Sequence, residues 1–444
     1  MKRREFFGAS AGTAAAFAGV SGCTIEQISP RQKSLSPSDN GKLADLSLMK
    51  LMEQYRYDLF DDYLPFLDSY VIDHEYGGFM CNTNRGGTNI SQNKGSWFEG
   101  RGIWVYSFLY NKLDNNPKYL EVARKSVEFI LKNKPSGDDL WPSSFSREGE
   151  PLSTSADIYG DLFIANGLQE YSRVSGNDTY WDMAKEILIK CMRIYDSPDY
   201  EYVVTYLRKD PPPITGPRVL GHWMVILRLA TQMLEDHSDP FIEETAERSV
   251  DAIMNYHYNP AYGLTNEVLN HDLSRTDDEY AQFSYTGHAI ETLWMVLYEA
   301  ARKKDRQLFD RAAEQFLRHI EVSWDDVYGG AFRCLDNVDK NIWKVDKVLW
   351  LQEEVLIGTL FICEHAGEQW AKDWFGKMFK YVQDKFPLKQ YGFPIWILSA
   401  DRKVTFVEHY TRVGNFHHPR HLMLNILSLD RIIKRDGYIS DLFA

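Results

Sequence analysis

Residues 284–322 read SYTGHAIETLWMVLYEAARKKDRQLFDRAAEQFLRHIEV and contain two consecutive helical patterns. Apolar side chains recur every three or four positions in 284–302 and again in 306–322, which is the period of an amphipathic helix. The short charged segment between the two patterns predicts a turn, so the two helices form a hairpin. A hairpin of this size leaves one apolar face uncovered and therefore needs neighbours of the same kind.

Similar helical pairs recur along the chain at intervals of about 60–70 residues. A further helical pattern, at about 43–67, precedes the first pair. The chain as a whole predicts about twelve helices and very little strand. The first helices of the six pairs open near Trp97, Asp157, Val219, Ser284, Asp346 and Phe416.

Six stacked hairpins close into an (α/α)6 barrel, and we predict an all-α fold of this kind. An open superhelix of the same repeats is the alternative. The first helix of each pair is aromatic and apolar nearly all round, as an inner ring covered on both sides requires, and this favours the closed form. Tyr-Gly segments at 76–79, 262–264, 328–332 and 391–393 recur in the connecting loops and predict tight turns with short β-hairpins.

The N-terminal segment resembles an export signal. Residues 1–23 begin with paired arginines followed by Phe-Phe, as in twin-arginine signals, and continue into a short Gly/Ala-rich apolar stretch. The sequence VSGC at 20–23 resembles a lipobox, in which Cys23 is acylated after cleavage; a plain secretory signal with a chance cysteine is the alternative. Residues 24–40 predict a flexible tether, which leaves 41–444 as a single barrel domain. We therefore expect a periplasmic or cell-surface protein attached to a membrane only through its lipid.

Composition argues against nucleic acid as a partner. The chain has 444 residues with 63 Asp+Glu against 50 Lys+Arg, and its net charge of -13 argues against nucleic-acid binding. Neutral small molecules are the expected partners. Apart from Cys23, the cysteines lack the short paired spacing of zinc sites, and we expect them to be buried apolar residues. We predict no structural metal.

The first turns of the inner helices carry side chains that are unusual at helix starts. In a barrel of hairpins these turns all meet at one end, so imidazoles, a guanidinium and aromatic rings would line one pocket. The residues concerned are Trp97, Arg101, Trp104, Tyr159, His222, His288, Glu291, Trp350, Glu354, His417 and Arg420.

Some of these residues also have a structural interpretation. Arg101 lies between aromatic residues on one helical face and could be a cation–π clamp. A lone His288 or His417 could be a hydrogen-bonded core histidine. His288 and Glu291 share a helix face and could bind a metal, but the helix lacks a matching second pair. The convergence of six helix starts favours the pocket.

Four motifs resemble the N-acylglucosamine 2-epimerase family of sugar 2-epimerases and aldose–ketose isomerases, which are built on an (α/α)6 barrel. They are WFEGRGIW at 97–104, GHAIE at 287–291, KVLWLQEE at 347–354 and FHHPR at 416–420. The chain departs from the family at 349–350, where Leu-Trp replaces a frequent pair of tryptophans.

The resemblance implies a catalytic base at His288 with Glu291 as its carboxylate partner, a second carboxylate at Glu354 and a second catalytic histidine at His417. The implied reaction removes the proton at C2 of an open-chain aldose and returns it to either face of a cis-enediolate. Two groups that titrate near neutrality are suited to this, so we expect His288 and His417 to act on opposite faces. Glu354 would position sugar hydroxyls or another imidazole, and Arg101 would stabilise the oxyanion. Neither a metal nor a redox cofactor is required.

Substrate contacts are expected from the remaining pocket residues, and the partner is a mono- or oligosaccharide bound by a monomer or homodimer. These contacts are Trp97, Trp104, Tyr159, His222, Trp350 and Arg420. One rival interpretation is a glycoside hydrolase or lyase that uses Asp157 and Glu354 as paired carboxylates. Another is a lipid-anchored sugar-binding protein without turnover.

Overall fold

The computed structural model describes residues 41–83, 88–154, 157–205, 210–388, 393–394, 397–398, 411–412 and 414–444. The predicted signal at 1–23 with Cys23, the predicted tether at 24–40 and the Tyr-Gly pair at 391–392 lie outside the described residues. None of the described helices is both long and apolar enough to span a bilayer.

The helices follow the predicted recurrence, and the six helices of the inner ring begin within three residues of the predicted openings. The α-helices of the described residues are α1 (Leu48–Tyr57), α2 (Leu64–Tyr70), α3 (Ser96–Lys112), α4 (Pro117–Leu131), α5 (Tyr159–Ser175), α6 (Thr179–Tyr195), α7 (Leu220–Met233), α8 (Pro240–Asp251), α9 (Thr286–Lys303), α10 (Arg306–Ser323), α11 (Leu349–His365), α12 (Gln369–Lys385) and α13 (His417–Lys434).

The ring is closed. Helices α3, α5, α7, α9, α11 and α13 contact one another in that order, and α13 returns to α3. Each of the first five packs on the helix that follows it, while α13 packs on α1 from the other end of the chain. The (α/α)6 barrel is thereby confirmed, and the open superhelix is excluded.

The burial pattern distinguishes the inner helices from the outer ones. Every residue of α11 from Leu349 to Glu364 is buried, whereas α12 is amphipathic and buries only its inward face. Close approach also needs small residues: a Cβ at Gly100 of α3 would lie 2.3 Å from the backbone carbonyl carbon of Phe163 in α5. The glycine of the 97–104 motif therefore sets how closely these two inner helices pack.

The N-terminal outer helix differs from the prediction. The expected helix at about 43–67 begins as a short β-hairpin and continues as α1, a π-helix (Asp58–Tyr63) and α2. A second π-helix (Ala252–His257) follows α8. Periodicity of apolar residues does not distinguish an α-turn from an occasional wider π-turn, so neither π-helix can be predicted from the sequence.

Short antiparallel strands occupy the loops, as predicted. Several link loops that are distant in sequence: β10 pairs with β13, β16 with β19, and β3 joins β4 to β20. The strands are β1 (Lys42–Leu43), β2 (Leu46–Ser47), β3 (Asn82–Thr83), β4 (Asn89–Ser91), β5 (Lys94–Gly95), β6 (Ser144–Phe145), β7 (Pro151–Ser153), β8 (Glu201–Tyr202), β9 (Ile214–Thr215), β10 (Arg218–Val219), β11 (Tyr258–Asn259), β12 (Leu264–Thr265), β13 (Val268–Leu269), β14 (Cys334–Asn337), β15 (Ile342–Lys344), β16 (Lys347–Val348), β17 (Pro387–Leu388), β18 (Phe393–Pro394), β19 (Ile397–Leu398) and β20 (Thr411–Arg412).

Two Tyr-Gly-Gly turns are fixed by buried lysines at the starts of inner helices. Lys94 Nζ lies 3.0 Å from Asp73 Oδ2 and donates to a turn carbonyl at 2.6 Å. Lys347 Nζ lies 2.5 Å from Asp325 Oδ2 and likewise donates to a turn carbonyl at 2.6 Å. The four turn glycines have φ between 76° and 84°, where a side chain would be strained. The turns thus anchor the segments that lead into α3 and α11.

Candidate active site

One end of the inner ring opens into a cavity of about 500 Å³, a size typical of small-molecule sites. The first turns of all six inner helices contribute to it, which is the convergence that the sequence predicts. The contributing residues are Trp97, Phe98, Arg101, Tyr159, Phe163, Met224, His288, Glu291, Trp350 and His417. The cavity mixes aromatic walls with a few convergent polar groups.

His288 is held by a carboxylate from a loop. Its Nδ1 lies 2.8 Å from Oε1 of Glu267, which is fully buried between β12 and β13. The backbone of Glu267 is itself fixed, because its carbonyl accepts a hydrogen bond from Leu220 at 2.8 Å. The prediction that Glu291 is the partner of His288 is therefore corrected. Spacing along α9 identifies neighbours on that helix only, and it misses a carboxylate that the segment between β12 and β13 brings from outside the helix.

Glu291 instead belongs to a network behind His417. Arg420 Nη2 donates to Glu291 Oε1 at 2.6 Å and also donates to Glu354. Glu354 Oε1 lies 2.8 Å from Nδ1 of His417, and its Oε2 accepts from Trp294 Nε1 at 2.6 Å. Of the two roles expected of Glu354, the structure thus shows the positioning of an imidazole.

Burial sets the charge state of this network. Burial lowers the pKa of His417 well below its ordinary value; Glu291 opposes this effect, and Arg420 and Arg101 reinforce it. Burial raises the pKa of Glu354 against the lowering influence of Arg420. His417 is therefore neutral near pH 7. Glu354 Oε1 lies closer to His417 Nδ1 than Arg420 Nη2 does, at 2.8 Å against 3.1 Å, which favours a neutral ring that donates its Nδ1 proton and keeps Nε2 as the nitrogen that accepts a proton.

The side chains of this network resemble the ligand set of a cation site. Ligand atoms of Glu291, Glu354 and His417 all lie within 4.8 Å of one another. The guanidinium of Arg420 already lies among them, so a fixed organic cation supplies the positive charge at this point. Arg420 is almost fully buried and is not among the described residues that line the cavity, which corrects its predicted role as a substrate contact.

Arg101 lines the cavity inside an aromatic frame. Its guanidinium carbon lies 4.0 Å from the ring centre of Phe163, 4.9 Å from that of Phe416 and 5.2 Å from that of Trp97. Both interpretations of Arg101 therefore apply: the rings clamp the guanidinium, and the clamp presents it to the cavity.

Two further predicted substrate contacts are core residues. His222 is fully buried, its Nε2 is 2.9 Å from Tyr200 Oη, and its ring stacks on Tyr159 at 4.3 Å. Burial lowers the pKa of His222 to about 3, and Met224 represents its helix in the cavity. Trp104 is only 1 % exposed and stacks on a neighbouring ring in the barrel wall. Helical phase explains both corrections, because a shift of one or two residues turns a side chain from the cavity to the wall.

Several lining residues come from loops and escape a search of helix starts. Tyr202, Tyr285, Arg333 and Asn415 line the cavity, and Arg333 Nη2 forms an ion pair with Asp346 Oδ2 at 2.6 Å. Tyr285 packs edge-on against the imidazole of His288 at 4.2 Å. The loop residue Glu267, the partner of His288, could have been found from the sequence. It is an acidic residue directly before the buried strand β13, where charged side chains are rare.

Comparison with known proteins identifies the family. The sequence model of the N-acylglucosamine 2-epimerase (GlcNAc 2-epimerase) family matches residues 60–419. The chain belongs to this family. N-acylglucosamine 2-epimerase of Bos taurus is 24% identical over 383 residues, which is 82% of this chain and 87% of the relative.

Solved structures share the fold at lower identity. Cellobiose 2-epimerase from Bacillus thermoamylovorans B4167 is 17% identical with a TM-score of 0.74, over 85% of this chain and 99% of that chain. A D-mannose isomerase is 14% identical with a TM-score of 0.68, over 90% of this chain and 100% of that chain. The expected resemblance and the (α/α)6 barrel are both confirmed.

Proposed function

We propose that this protein is a carbohydrate 2-epimerase that inverts C2 of an aldose through a cis-enediolate, with His288 and His417 as its two acid/base groups. The observation that carries the proposal is the pair of imidazole–carboxylate contacts at one cavity, each with an Nδ1-to-oxygen distance of 2.8 Å. Membership of the epimerase family supports it. The two histidines lie on α9 and α13, which α11 separates in the ring, so they approach the cavity from two directions.

The arrangement accounts for each step of the proton transfer. One neutral imidazole takes the C2 proton, and the electron pair of the C2–H bond forms the C1=C2 bond while the C1 oxygen gains negative charge. Arg101 and the N-termini of the inner helices, which meet at this end, stabilise that oxygen. The other imidazole, in its protonated form, then donates to the opposite face of C2. Because His417 is held neutral, we assign the proton abstraction to it in one direction and to His288 in the reverse direction.

The aromatic residue between the histidines gives the sugar a platform. The ring centre of Trp350 is 6.1 Å from that of His288 and 5.2 Å from that of His417. A sugar ring or open chain stacked on Trp350 would lie within reach of both imidazoles. The rival hydrolase interpretation has less support, because neither Asp157 nor Glu354 is among the described residues that line the cavity.

Proton NMR in D2O tests the proposal. The protein is incubated separately with glucose, mannose, N-acetylglucosamine, N-acetylmannosamine and cellobiose. We expect deuterium at C2 together with the epimer of at least one sugar, and loss of conversion with retained binding in His288→Asn and His417→Asn. His74→Asn is the matched control, because His74 is exposed at the surface. A folded protein that binds sugars and leaves C2 unlabelled would support the binding-protein interpretation, whereas release of a monosaccharide from cellobiose would support the hydrolase.

We further propose export and lipid attachment at Cys23, on the basis of the paired arginines and the VSGC segment. An exported member of the family would act on free sugars or oligosaccharides released outside the cytoplasm. Metabolic labelling with a fatty acid, followed by membrane fractionation, tests this. We expect Cys23→Ser to lose the label and to move to the soluble fraction; an unlabelled wild-type protein would point to a plain secretory signal.

A further inference from the structure

A second histidine–carboxylate cluster lies one residue along the chain from the catalytic network. It consists of Glu353 on α11 and of His418 and His421 on α13, whose ligand atoms all lie within 4.8 Å of one another. Glu353 Oε1 contacts His418 Nδ1 and lies 3.6 Å from His421 Nδ1. Glu353 is fully buried and His421 is 4 % exposed, whereas the side chain of His418 is 15 % exposed.

Two polar atoms of this cluster lack a hydrogen bond, although one of them, His421 Nδ1, faces Glu353 Oε1 at 3.6 Å. Glu353 Oε2 and His421 Nδ1 are buried and have no hydrogen-bond partner among the described residues. An unpaired carboxylate oxygen and an unpaired imidazole nitrogen each cost free energy in a buried site. Both atoms belong to side chains that already converge, so a single bound cation would satisfy them together.

Neighbouring polar groups hold the imidazole of His421 in place. His421 Nε2 lies 3.1 Å from Tyr55 Oη, and Asn425 Nδ2 donates to the same oxygen at 3.0 Å. A hydrogen bond at Nε2 leaves Nδ1 as the coordinating atom, and it turns that atom toward Glu353. Metal-binding histidines are usually oriented in this way by a partner on the other ring nitrogen.

We propose that Glu353, His418 and His421 bind a divalent transition metal, with Zn²⁺ as the ion that best fits two imidazoles and a carboxylate. The metal links α11 and α13 directly beside Glu354 and His417. It serves as a structural crosslink and takes no part in the proton transfer. The proposal revises the expectation of no structural metal, which rested on cysteine spacing and on the pair His288 and Glu291. The two histidines of this cluster lie three residues apart on α13.

Metal binding to the purified full-length protein tests the proposal. The protein is stripped with a chelator and titrated with Zn²⁺ by calorimetry. We expect one Zn²⁺ per chain and a rise in Tm. Zinc-edge absorption of the loaded wild type should show nitrogen and oxygen ligands at about 2.0–2.2 Å.

Variants locate the ion. Glu353→Gln and His421→Asn should each weaken Zn²⁺ binding by at least about 100-fold, since losing a ligand costs more than losing its hydrogen-bond partner. His74→Asn should bind normally and controls for surface histidines. Absence of one-to-one binding to folded wild type overturns the proposal. Binding that survives in both cluster variants and is lost in Glu354→Gln also overturns it, because the ion would then lie in the catalytic network. These readouts do not depend on turnover, so they stand apart from the proposed epimerase activity.

Discussion

His288 and His417 are held by the same contact in two different surroundings. In both, Nδ1 lies 2.8 Å from a glutamate oxygen, and both rings line the same cavity. The glutamate at His288 comes from the segment between β12 and β13, whereas the one at His417 comes from the neighbouring inner helix and shares Arg420 with Glu291. The contact at His288 joins one imidazole to one carboxylate, and the contact at His417 belongs to a buried network of four charged or titratable groups.

The sites of His288 and His417 select the same ring tautomer by different means. A carboxylate at Nδ1 selects the ring form that keeps Nε2 for the substrate in both sites. At His417 the buried guanidinium also disfavours a second positive charge, so this ring is neutral at rest. We therefore expect the two histidines to be equivalent in function and unequal in their sensitivity to substitutions around them.

Removing either imidazole has the largest expected effect. His288→Asn and His417→Asn should each lower kcat for epimerisation by about 10²–10⁴-fold, the usual contribution of a general acid or base. With one histidine left, the enzyme should still exchange the C2 proton of one epimer with solvent and return it to the same face. The two variants should therefore exchange opposite epimers, which mass spectrometry of each sugar in D2O measures. Exchange of the same epimer by both variants would show that one histidine does all of the proton transfer.

Removing Arg420 should break the network at His417 and leave the pair at His288 intact. Arg420→Met leaves Glu291 and Glu354 buried without their cation, and breaking a buried ion pair in this way typically costs about 3–5 kcal/mol. Urea unfolding measures the loss. Replacing the exposed Arg124, which pairs with glutamates on its own helix, is the control and should cost less than about 1 kcal/mol. Equal costs for the two variants would mean that the network adds no more stability than a surface pair.

The sequence predicts the helical parts of both sites better than the loop parts. The starts of α9 and α13 and the cavity positions of His288 and His417 follow from period and pairing alone. Glu267 does not follow, because the segment between β12 and β13 brings it to His288 and no periodicity relates the two. The sequence places Arg420 at the right end of the barrel, but the helical phase of Arg420 turns it behind His417 and away from the cavity.

Neutralising the two glutamates should produce a smaller effect that differs between the sites. Glu267→Gln and Glu354→Gln can each donate to Nδ1 and thereby favour the wrong tautomer, so we expect kcat to fall by about 10–100-fold in both. Only Glu354→Gln should also lower stability, because it removes one of the two carboxylates that hold Arg420. Steady-state kinetics together with unfolding measures the two effects. A drop in stability for Glu267→Gln of the same size would contradict the contrast between pair and network.

The pH dependence of stability gives the smallest and most specific test of the His417 site. Burial keeps the folded-state pKa of His417 below its unfolded value of about 6.5, so the unfolded chain binds a proton that the folded protein does not. The stability that this residue contributes is present above pH 6.5 and is lost as the pH falls. Between pH 7 and pH 5 the loss reaches about 2 kcal/mol for a ring that remains neutral when folded. His417→Asn should therefore lose less stability over this range than the wild type. Parallel losses in urea unfolding would mean that His417 is already protonated when folded, and that it enters the reaction as the acid.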